Sequence, residues 1–99
     1  MAYKIIDCPA TFDFELSDGT VHSMPVPAGL SVDEALKLEH ELSAAKGDVT
    51  AVAKVYDQLI HDHCPELAGV ELTTYVVMQI SAAWIKASPI AGESSASRN

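Results

Sequence analysis

Positive charge is scarce in this sequence: six lysines or arginines stand against fourteen aspartates and glutamates, a net charge of −8 over 99 residues. A phosphate backbone would be repelled by such a chain, which argues against nucleic acid as a partner. Cysteine is nearly absent, with only Cys8 and Cys64. In a cytoplasmic chain two such thiols serve as small apolar fillers, and a disulfide between them is the lesser alternative. No apolar run approaches the ~20 residues of a membrane span. The opening MAYKIIDCPA also lacks the apolar stretch of a secretory leader, so the expected location is the cytoplasm. Glycine-rich phosphate loops are missing too, because the five glycines stand singly at turns. What is there, 48% hydrophobic and 20% charged residues, is the composition of an ordinary globular domain. A chain of this length buries about two-thirds of its unfolded surface, enough for one core and no deep cleft.

The stretch Leu72 to Ala87 organises the rest. Helical spacing places Val76, Val77, Ile80, Ala83, Trp84 and Ala87 within an arc of roughly 120°, a face turned to a core. Thr73 is the expected N-cap, Leu72 and Val77 form a hydrophobic staple, and Tyr75, Gln79 and Lys86 lie opposite. The β-prone run Tyr75-Val76-Val77 leaves a strand from Leu72 to Ile80 as the rival. Met78, Ala82 and Ile85 make a second, weaker apolar stripe, read either as a further core contact or as a docking surface.

Upstream, Tyr3 to Ile6 carry a short alternation that reads as a strand or an ordered lead-in. Phe12, Phe14 and Leu16 then alternate with polar residues at the period of a half-buried strand. Asp18-Gly19 points to a type I′ hairpin pairing Leu16 with Val21 and Glu15 with His22. Pro25 and Pro27 make the return strand an edge, or end it early. Ser31-Val32-Asp33-Glu34 matches a capping box that opens a helix over Val32 to Ala45, whose apolar arc Glu39 interrupts. Asp48 caps a second helix, Val49 to His63, with Val49, Val52, Ala53, Tyr56, Leu59 and Ile60 on one face. The chain thus reads as a single α+β domain over residues 1–88, an N-terminal β-hairpin followed by about three helices. From Pro89 the small polar residues have little to bury, and 89–99 reads as a flexible tail.

Chemistry is harder to find. The cluster His61-Asp62-His63-Cys64 carries metal ligands and a nucleophile, and a small metal or thiol enzyme built on it is the rival from another class. However, two histidines two apart on a helix diverge by about 200°. No H-x-x-x-H, C-x-x-C or G-x-S-x-G occurs, and Asp33-Glu34 is explained by capping. His63 reads as a hydrogen-bonded histidine at the negative end of its helix, and His22 as a solvent-side partner of Glu15. The expectation is therefore no enzyme, no cofactor and no metal.

Taken together, several motifs resemble those of the tail assembly chaperones of long-tailed, siphovirus-like bacteriophages and prophages, of the actinobacterial type. They are Phe12 to Thr20, Pro25 to Leu30, Pro65-Glu66-Leu67-Ala68, Ala83 to Ser88 and Gly92 to Ser97, spread over residues 11–97. The resemblance implies a protein of the host bacterial cytoplasm, absent from the mature virion. Such a protein coats the tape-measure protein and helps recruit tail-tube subunits, with self-association among its interactions. Met78, Ala82, Ile85 and Ile90 are the candidate partner contacts. The alternative is a small acidic, non-enzymatic interaction or regulatory module.

Overall fold

The computed structural model describes residues 2–5 and 10–87. Strands β1 (Thr11–Glu15) and β2 (Val21–Pro25) form an antiparallel hairpin, followed by helices α1 (Val32–Ala45), α2 (Val49–His63) and α3 (Thr74–Ile85). Single 3-10 turns at Pro27–Gly29 and Pro65–Leu67 join them, each opened by a proline that needs no N–H partner. The architecture is α+β, with the hairpin against a small helical layer. Residues 2–5 belong to no regular element, and Tyr3 and Ile5 are exposed. Cys8, Ile90 and the tail 89–99 lie outside the described residues.

All three helices begin on the caps that the sequence predicts. The side chains of Ser31, Asp48 and Thr73 accept hydrogen bonds from the backbone N–H groups of Glu34, Ala51 and Val76, at 3.1, 2.9 and 3.2 Å. Lys46 closes α1 in the left-handed conformation, with Gly47 at positive φ after it. α3 is a helix and not the rival strand, and it is shorter than the predicted span by about half a turn at each end.

The hairpin departs from the sequence reading. Gly19 N–H bonds to Leu16 C=O at 2.9 Å and Leu16 N–H to Thr20 C=O at 2.9 Å, so the loop has three residues instead of two. Gly19 has φ 89°, whereas Asp18 does not have the positive φ that a type I′ turn demands. This is a type I turn closed by a left-handed glycine bulge. The pairing is therefore Glu15 with Val21 and Phe14 with His22, one residue away from the expected register. A slip of one residue exchanges the two faces of a strand. His22, Met24 and Val26 consequently point inward with Phe14, while Val21 is exposed.

Behind the hairpin, α2 and α3 bury Tyr56, Leu59, Ile60, Val77, Ile80 and Trp84. The Trp84 indole N–H donates to Pro25 C=O at 2.7 Å, and Tyr56 meets the indole edge-on with ring centres 6.2 Å apart. The buried face of α3 is rotated by roughly 50° from the predicted one, toward Ser81 and away from Ala83. Ser81 is tolerated there because its hydroxyl donates to Met78 C=O of the preceding turn, 3.1 Å away, while Ala83 is exposed. On α2, Val49 is exposed instead of packed. α1 lies at the edge with no fully buried residue, and Glu39 faces solvent, which resolves the break in its apolar arc.

Removing the large ring should be costly. Trp84→Ala is expected to lower unfolding free energy by ~3–5 kcal/mol in urea titration. Trp84→Phe, which keeps an apolar ring but orphans the Pro25 carbonyl, should cost about 1–3 kcal/mol. A loss below about 1 kcal/mol for Trp84→Ala would mean the ring is not part of the core.

Candidate functional site

The four residues His61 to Cys64 end α2, and the structure sends their reactive atoms in different directions. His61 Nδ1–H donates to Asp57 C=O at 2.9 Å and Nε2–H to Val70 C=O at 2.9 Å. Carbonyl oxygens only accept, so both bonds are complete only in the imidazolium form. These two bonds, led by that to Asp57, raise the His61 pKa above its ordinary value. His63 Nε2–H instead donates to the Glu34 carboxylate at 2.6 Å, tying α2 to the start of α1. Glu34 therefore completes only half of the predicted capping box: its N–H reaches Ser31 while its carboxylate reaches across to His63.

Cys64 is fully buried as a free thiol, and its S–H donates to Ser23 C=O on β2 at 3.6 Å. Burial, with Glu66 nearby, pushes its pKa up, the opposite of what an activated nucleophile needs. Among the described residues no three His, Cys, Asp or Glu side chains are arranged to hold a metal ion. The cluster that stood out in the sequence is thus three separate structural ties.

A further tie escaped the sequence reading because of the register. His22 was expected at the surface beside Glu15, yet it is 7% exposed, with its ring against Phe14. Its Nδ1–H donates to the Glu66 carboxylate at 2.7 Å, 44 residues away in sequence. Nε2 is hydrogen-bonded to the Thr20 hydroxyl at 2.9 Å, and that hydroxyl donates to Asp18 at 2.6 Å. Asp18 also accepts from the Thr20 N–H at 2.9 Å. The Thr20 bonds hold the Asp18 carboxyl below its usual range, and the His22 bond does the same for Glu66. The turn is in this way fastened to the Pro65–Leu67 segment below it.

The candidate contact stripe divides. Ile85 is 57% exposed and Ala82 is exposed, but Met78 is half-buried and packs against the core. Other large apolar side chains reach the surface: Val32 and Leu36 one turn apart on α1, Val49 on α2 and Tyr75 on α3.

The ties make stability depend on pH in two opposite ways. The raised His61 pKa gives a contribution that is complete below the ordinary histidine value of 6.5 and is lost as pH rises through the higher folded value. The lowered Glu66 pKa gives one present above 4.5 and lost as pH falls through the lower folded value. Urea midpoints measured across pH should show an alkaline decline that His61→Gln lacks and an acid limb that Glu66→Gln flattens. A His61→Gln curve parallel to wild type above pH 6.5 would contradict the assignment.

Comparison of this chain with protein-family models, with curated proteins and with solved structures finds no match in any of the three.

Proposed function

We propose that this protein is a tail assembly chaperone of long-tailed bacteriophages, working in the host cytoplasm to keep a tape-measure protein soluble and to help recruit tail-tube subunits. The sequence motifs from Phe12 to Ser97 supply the resemblance. The structural observation that carries the reading is the exposure of large apolar side chains on every helix of a strongly acidic chain. Val32, Leu36, Val49, Tyr75 and Ile85 are 75, 58, 58, 75 and 57% exposed. Scattered exposed apolar residues are ordinary, but Val32 and Leu36 are adjacent on one face of α1 and Ile85 and Ala82 flank α3. Several weak apolar contacts suit a chaperone that accepts varied segments of one long partner, because repeated sites on that partner raise the effective concentration. The net charge of −8 favours solubility in the complexes so formed.

Co-expression with the tape-measure protein encoded nearby tests this reading. The tape-measure protein should be soluble with this chain and aggregate without it; equal solubility in both cases would overturn the assignment. Ile85→Glu probes the α3 flank, since the side chain is exposed and the fold should tolerate the change. Met78→Glu would place a charge against the core. Ile85→Glu is expected to reduce the soluble fraction severalfold, whereas wild-type performance would exclude that flank as a contact.

A further inference from the structure

A groove of about 760 Å³ runs between the hairpin turn and the start of α3. Its lining combines two chemistries. Leu16, Leu72 and Val76, all half-buried, form an apolar floor, with Val70 exposed at one side. Glu15, Asp18 and Glu71, all exposed, stand along it, and no lysine or arginine is among the lining residues. Both walls are fastened before any ligand arrives. On the hairpin side Thr20 holds Asp18 through its N–H and hydroxyl at 2.9 and 2.6 Å, and these bonds favour the ionised carboxylate. On the other side His61 Nε2–H holds Val70 C=O at 2.9 Å, and Val70 N–H bonds to Leu67 C=O at 2.8 Å. A groove whose walls are already ordered loses little entropy when it is filled.

We propose that this groove docks a cationic amphipathic segment of a partner protein. Aliphatic side chains of the segment lie over Leu16, Leu72 and Val76, and its lysines or arginines face Glu15, Asp18 and Glu71. Charge complementarity selects this occupant. An acidic segment would meet three carboxylates with no compensating cation in the lining, and a neutral apolar one would leave them desolvated and unpaired. The proposal stands on the groove's own geometry and charge, and holds whether or not the partner is a tape-measure protein.

The probe is a synthetic leucine/lysine amphipathic peptide titrated into the 15N-labelled full chain, with a leucine/glutamate peptide of the same pattern as control. The lysine peptide should shift the amides of Glu15 to Asp18 and Val70 to Ile80, and raising the salt concentration should weaken it. Glu15→Lys combined with Glu71→Lys should weaken binding on the order of tenfold. Both side chains are exposed, so the folded spectrum should be retained; Glu15→Gln with Glu71→Gln serves as a milder second variant. No binding, shifts centred on Val32 and Leu36 of α1, equal binding of the glutamate peptide, or unchanged affinity in the charge-reversed variant would each overturn the proposal. These readouts need no tape-measure protein, so a failed co-expression leaves them standing and the converse holds as well.

Discussion

The turn closed by Gly19 decides which side of β2 meets the helices. With three residues in the loop, Met24 and Val26 enter the core, and Pro25 presents its carbonyl to Trp84. A two-residue loop would place His22 and Met24 on the solvent face and expose the apolar side of the return strand. The choice is made by burial, since a two-stranded hairpin alone is marginally stable in water and needs a surface to pack on. Helices α2 and α3 supply that surface. Three polar contacts then fix the hairpin on it: Trp84 to Pro25, His22 to Glu66 and Cys64 to Ser23, at 2.7, 2.7 and 3.6 Å.

Histidine does much of the remaining joining. His22 links the hairpin to the segment before α3, His63 links α2 to α1, and His61 links α2 to the loop that leads into α3. Each imidazole presents an apolar ring edge to its surroundings and a nitrogen to an acceptor across the gap. A small domain with limited apolar surface to bury gains specificity from such contacts. His61 and His63, two apart on a helix, diverge around its axis, and in three dimensions they belong to different joints.

Local signals were legible and distant ones were not. The bounds of α1 and α2 and all three N-caps follow from side chains within one turn of the helix start, so the sequence reading of them holds. Asp18-Gly19 identified the hairpin, but loop length depends on which residues the helices cover, and His22 looked like a surface residue because Glu66 lies 44 positions away. The same blindness turned α3. Ser81 could be buried only because its hydroxyl bonds back to Met78, and the apolar arc drawn through Ala83 missed this. Glu34 looked like a complete capping box until His63 claimed its carboxylate. On the second stripe of α3, periodicity alone could not tell the half-buried Met78 from the exposed Ile85, because which side of the stripe is covered depends on the packing of the other elements.

We propose that this domain acts through surface contacts repeated along an extended partner. Native mass spectrometry of the purified complex with the tape-measure protein measures that claim most directly, because mass reports how many copies are bound. Several copies of this chain per tape-measure protein, with the count falling when the tape-measure protein is shortened, is the predicted result. A single tightly bound copy whatever the length, or no complex at all, would contradict it.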